Sequence, residues 1–149
     1  MSISQEEIAP GLVVYLDTDM LRARGDCLTN AVASEHGDRA VIGVHEFLVV
    51  GVDVSSGVCT AVPLFTKSAV GNQPLLESKK SGVADQWIGV SSYFSHWQHW
   101  RIPFAALVAA SAPEMSTSTS RRWYAAEDRT ALDDIRNWEK RNRAPYRAV

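Results

Sequence analysis

The chain has 149 residues, 46% hydrophobic and 21% charged, with a formal net charge of -2. That is the mass of one domain with a true core, in a composition ordinary for a globular protein. The near-neutral balance excludes a global field drawing it to nucleic acid or membrane, so any anion site has to be local. Cys27 and Cys59 are too few for a disulfide scaffold and lack metal-ligand spacing. They read as reduced thiols, with Cys59 a strand core residue. No basic start precedes an apolar run, and no apolar stretch is long enough to cross a bilayer. A cytoplasmic protein with no membrane partner and no cofactor is expected.

In chain order, Pro10-Gly11 is a turn signal and Leu12 to Leu16 (LVVYL) a short strand. Asp17 to Ala40 is a polar connection whose apolar residues, Met20, Leu21, Leu28 and Val32, are too irregular to define a helix. Thr29 to Ser34 is the one place for a helical turn, and the segment reads as a functional or variable loop. A strand starts at Ala40 or Val41 and leads into the organising stretch, Phe47 to Val54, Ser55-Ser56-Gly57, then an apolar run from Val58. Apolar β-formers broken by a short glycine turn predict an antiparallel hairpin, with Gly43 and Gly51 at bulges or bends. Past Pro63, Val70 to Pro74 reads as a turn and Leu75-Leu76 as a short strand. Ser78 to Gly82 reads as a polar basic turn, and Val83 to Tyr93 as a strand kinked at Gly89. Short strands at this spacing suggest a small barrel or sandwich.

Phe94 to Arg101 is dense in aromatics and bases, and Phe104 to Ala110 after Pro103 is either a helix or a last strand. Residues 112–120 are linker-like. Trp123, Leu132, Ile135 and Trp138 then keep one face of a predicted helix apolar until Asn142 and Pro145 end it. The expected organisation is a β unit over 1–111, followed over 112–149 by a linker and an amphipathic helix packed on it.

The run from Gly11 to about Ala110 resembles the MazF/PemK family of toxin endoribonucleases. The matching features, in order, are Gly11-LVVYLD with its closing acid, a long loop, and a strand opened by His45 (HEFLVV). Then come the turn and strand ending in proline (SGVCTAVP), FTKSAVGN, and Ser-Gly-Val ahead of Asp85-Gln86. Glu46 stands where the family carries an arginine after the histidine, and Val83 where some members carry one before Asp-Gln. Phe65 displaces the hydroxyl that follows the proline. The resemblance implies a mainly β fold with a C-terminal helix, a small SH3-like (PemK/MazF-type) β-barrel. It also implies metal-independent cleavage of single-stranded RNA, an antitoxin protein as partner, and a homodimer.

Such cleavage needs a base for the 2′-hydroxyl, a cation for the phosphorane and an acid for the leaving oxygen. The expected catalytic set is His45, Thr66, Ser68 and Asp85. The expected RNA-binding set is Lys67, Lys79, Lys80, Tyr93, His96, Trp97, His99 and Arg101, because aromatics beside bases stack single strands and hold their phosphates. Each has a plainer reading beside it. His45 can be a strand-start histidine bonded to a carbonyl, Lys79-Lys80 a solvated turn, and the tryptophans core packing. His96 and His99 as zinc ligands lack a sequence-near third partner. The second functional class is a non-catalytic PemK-like module that binds protein or RNA. No glycine-rich phosphate loop, GxSxG elbow or paired-carboxylate motif is present.

Overall fold

The computed structural model describes residues 3–31, 40–69, 71–95, 98–111, 121–138 and 145–149. In chain order the elements are β1 (Leu12–Asp17), α1 (Thr18–Arg24), β2 (Leu28–Thr29), β3 (Val44–Asp53), β4 (Val58–Phe65), β5 (Asn72–Pro74) and β6 (Lys80–Gly82). They continue with β7 (Tyr93–Ser95), β8 (Trp100–Pro103), α2 (Phe104–Ala110), β9 (Arg122–Tyr124), α3 (Thr130–Trp138) and β10 (Arg147–Ala148). The protein is mainly β: all ladders are antiparallel, in the order β10-β2-β8-β4-β3-β1-β9-β6, with β7 on the far end of β4 and β5 beside it. Among the described residues no pairing joins β10 to β6, so the sheet is open.

The predicted hairpin is the centre. Phe47 pairs with Pro63 and Leu48 with Val62, and the register shifts by one residue between Val49 and Gly51, where the sequence marked a bulge. The β3 segment is apolar without alternation because both of its faces are covered. Phe47 and Val49 pack with Leu12, Val14, Trp100 and α2 residues Ala106 and Leu107. Leu48 and Val50 pack on the other side with Val13, Val62, Trp87 and α3 residues Leu132 and Ile135. Between Phe104 and Ala110 the helix, not the strand, is formed.

Four expectations are corrected. The polar connection contains α1, with the Asp17 carboxylate accepting from the Asp19 N–H at its start and Gly25 in the left-handed conformation (φ 78) at its end. Asn72–Pro74, read as a turn, is β5, while Leu75-Leu76 lies outside the strands. Val83 to Tyr93 is not a strand: Gln86 (φ 54) and Gly89 (φ 80) turn the chain, and pairing begins only at Tyr93. Trp123 belongs to β9, inserted between β1 and β6, so the helix begins at Thr130, whose N–H and hydroxyl both donate to Asp128. Leu132 and Ile135 are buried as the helical pattern requires. The predicted linker and the helix beyond Trp138 fall outside the described residues.

Candidate functional site

The start of β3 and the end of β4 meet at one end of the sheet, because an antiparallel hairpin returns the chain to where it began. A cleft of ≈ 340 Å³ opens there. It brings together three of the predicted residues, His45, Thr66 and Lys67, with Tyr15, Glu46 and Phe65. Thr66, Lys67 and Ser68 are exposed on the segment leaving β4. Tyr93, on β7, pairs with Phe65.

His45 is half-buried, its ring edge-on to Phe65 (5.2 Å between centroids) and Phe47 (6.0 Å). Its Nε2 lies 2.7 Å from the Leu64 carbonyl oxygen. A carbonyl can only accept, so Nε2 carries the hydrogen and the neutral ring keeps its lone pair on Nδ1. Burial pushes the imidazole pKa below its ordinary 6.5, with the Leu64 hydrogen bond opposing. His45 is therefore neutral at pH 7 and equipped to accept a proton.

Glu46 sits where the resemblance led one to expect arginine, but an arginine reaches it from elsewhere. The Arg122 Nη1 of β9 donates to Glu46 Oε2 at 2.7 Å, and its Nη2 donates to the Asp85 carbonyl at 3.0 Å. The guanidinium lies 5.0 Å from the Tyr15 ring centroid. Both charged side chains are about 15% exposed (14% and 15%). Burial lifts the Glu46 carboxyl above its usual range, against the pull of Arg122 and of hydrogen bonding from Tyr15. This pair was invisible to motif reading, since 76 residues separate its members. The available signal was a lone carboxylate two residues before Leu48 on a strand face otherwise apolar.

The remaining predicted residues are dispersed. The Asp85 side chain is exposed, and its backbone, as above, anchors Arg122. Lys79 pairs with Asp128 at 3.2 Å, on a different surface. Lys80, expected on a solvated turn or an RNA surface, is buried. Its Nζ donates to Glu77, to the Trp87 and Val90 carbonyls and to the Ser92 hydroxyl, 4.6 Å from the Trp87 ring centroid. His99 is buried, its N–H donating to Asn30 Oδ1 at 2.7 Å and its Nε2 lying 3.3 Å from the Ile135 carbonyl of α3. Arg101 is exposed at the opposite end of the sheet. His96 and Trp97 lie outside the described residues.

Cys27 and Cys59 are free and buried, and burial pushes each thiol up to about 12. Strand β8 lies between β2, which Cys27 precedes, and β4, which holds Cys59. The two thiols share one core cluster and are not joined. Among the described residues no three His, Cys, Asp or Glu side chains are gathered as metal ligands. No described helix is long and apolar enough to cross a membrane. Comparison of the chain with protein-family models, with curated proteins and with solved structures gives no match.

Proposed function

We propose that this chain is a toxin-like endoribonuclease acting on single-stranded RNA without a metal, on an SH3-like PemK-type scaffold, dimeric and countered by an antitoxin protein. The observation that carries the reading is the convergence of His45, Thr66 and Lys67 on one cleft. His45 Nδ1 removes the 2′-hydroxyl proton, and the 2′-oxygen attacks phosphorus. Lys67, with the Thr66 and Ser68 hydroxyls, holds the phosphorane oxygens. The 5′-oxygen departs with a proton from the Lys67 ammonium, leaving a 2′,3′-cyclic phosphate. Phe65 and Tyr93 offer aromatic surface for a base. Arg122 neutralises Glu46, so that the cleft does not repel phosphate.

The hydrogen bond from His45 to the Leu64 carbonyl favours one second reading. In it the histidine fastens two strand ends, and the surface binds RNA or protein without cutting. Incubation of the purified chain with a mixed single-stranded RNA in EDTA separates the two. Fragments ending in 2′,3′-cyclic phosphate, lost in His45→Ala, support the nuclease. RNA that stays intact overturns it and leaves the binding module.

A further inference from the structure

Along the face of β3 that α3 covers, alternate residues pass from core to solvent. Val50 and Leu48 are buried, Glu46 stands at the rim of the His45 cleft, and Val44 is exposed. Cross-strand partners project on the same face, so Tyr15 of β1, opposite Glu46, stands beside it. Arg122 starts from β9 opposite Val13, two residues along that face, and its arm passes the Tyr15 ring to reach the carboxylate. Its Nη2 is held by the Asp85 carbonyl, and its Nε is buried with no partner among the described residues. Glu46 thus supplies the counter-charge of this guanidinium.

The other groups facing the pair come from every neighbouring element. On β1, the Tyr15 phenol hydrogen-bonds the carboxylate, and Asp17, the cross-strand partner of Val44, accepts from the Asp19 N–H at the start of α1. On β6, the Lys80 ammonium acts on Glu46 from a distance but is held by Glu77 and the Trp87 and Val90 carbonyls. On β3 itself, His45 is neutral at pH 7. The Asp85 side chain is exposed, as is Lys67 on the segment leaving β4. While Glu46 is ionised, the pair adds no net charge and Lys67 is the cation lining the cleft. Once Glu46 is neutral, Arg122 adds a positive charge behind the cleft wall, where burial limits screening by water and salt.

We propose that Glu46 sets the affinity of this cleft for single-stranded RNA: ionised, it cancels Arg122 and holds binding weak, and protonated, it leaves the cleft cationic and binding tight. The inference rests on the RNA-binding reading above and holds whether or not the RNA is cut. A neutral carboxyl still offers an oxygen to Arg122 Nη1, so the change is one of charge and not of shape. Burial, which lifts the carboxyl above its usual range, brings that change closer to neutral pH.

Fluorescence anisotropy of a labelled 2′-O-methyl oligouridine, which cannot be cleaved and whose bases stay uncharged in mild acid, measures binding to the full chain. The charge signs predict opposite effects from the two partners. Glu46→Gln is expected to bind about tenfold tighter than wild type at pH 7 and low salt, and Arg122→Met to bind more weakly. The double variant restores the wild-type net charge and is expected to bind close to wild type, whereas a purely structural role would weaken both single variants. The gain from Glu46→Gln should shrink as salt rises. On acidification wild type is expected to tighten more than Glu46→Gln, whose remaining rise comes from His45 and disappears when His45→Gln is added. Circular dichroism checks that each variant is folded. Should Glu46→Gln unfold, the His45→Gln chain carries the test, because its affinity must still rise as pH falls. Equal affinity of wild type and Glu46→Gln, or no acid response in His45→Gln, overturns the inference and leaves RNA binding standing. Failure of wild type and every variant to bind the oligonucleotide overturns the RNA reading itself.

Discussion

The Lys80 ammonium is fully enclosed yet satisfied by four acceptors, two of them main-chain carbonyls in the turn through Trp87 and Val90. Replacing it by methionine keeps the length and removes every donor. The orphaned carbonyls should cost about 3 kcal/mol, read as a lower urea midpoint with unchanged slope. A loss below about 1 kcal/mol would show that water replaces the ammonium. Arg122 poses the complementary case, because its removal leaves Glu46 buried and charged. Arg122→Met should destabilise by about 3–5 kcal/mol at pH 7, and Glu46→Gln in the same chain should recover much of that. His45 adds a pH dependence with a definite sign. Its folded pKa lies below the ordinary 6.5, so below 6.5 the unfolded chain takes up the proton first and stability is lost as pH falls through the folded value. The stability difference between wild type and His45→Gln should therefore shrink on acidification, and any RNA cleavage by the proposed mechanism should fall over the same range.

At the level of elements, the short pieces depend on individual backbone positions. Gly82 ends β6 with φ +91, and a Cβ there would stand 2.2 Å from the Arg121 carbonyl oxygen. Gly82→Ala should break the pairing of β6 with β9 and cost at least about 2 kcal/mol, measurable by denaturant titration and by faster amide exchange at Ser81 and Trp123. The same geometry explains why β6 was legible only as a turn. Three residues are too few to show period-two alternation, and their pairing is with β9, whose strand lies 40 residues downstream. Helix α1 escaped a periodicity reading for a related reason: it buries only Thr18 and Leu21, too few to draw a stripe. Its markers were the cap residues Asp17 and Gly25, which flank it in the sequence.

For the whole molecule, the central β3–β4 hairpin is covered on one face by α2 and on the other by α3. Helix α3 is therefore part of the core. Leu132→Ala should cost about 3 kcal/mol, and a change below about 1 kcal/mol would show that α3 docks without closing the second face. The C-terminal segment reaches back to both ends of β3, as Arg122 braces Glu46 while the Arg136 side chain lies against Gly51.

What the amino-acid order determines by itself is the local part. Apolar runs broken by Ser55-Ser56-Gly57 dictate the hairpin, Gly51 the bulge, and the spacing of Leu132 and Ile135 a buried helical stripe. Each rests on contacts between residues close along the chain. Which residues share a site was decided by tertiary structure. Lys79 and Lys80 are adjacent in sequence, yet one pairs with Asp128 near the surface and the other is enclosed. His45 and Thr66 are 21 positions apart and share a cleft because the hairpin brings its ends together. The Arg122–Glu46 pair exists only through strand register. Register is set by the packing of both sheet faces at once, and no local pattern encodes that.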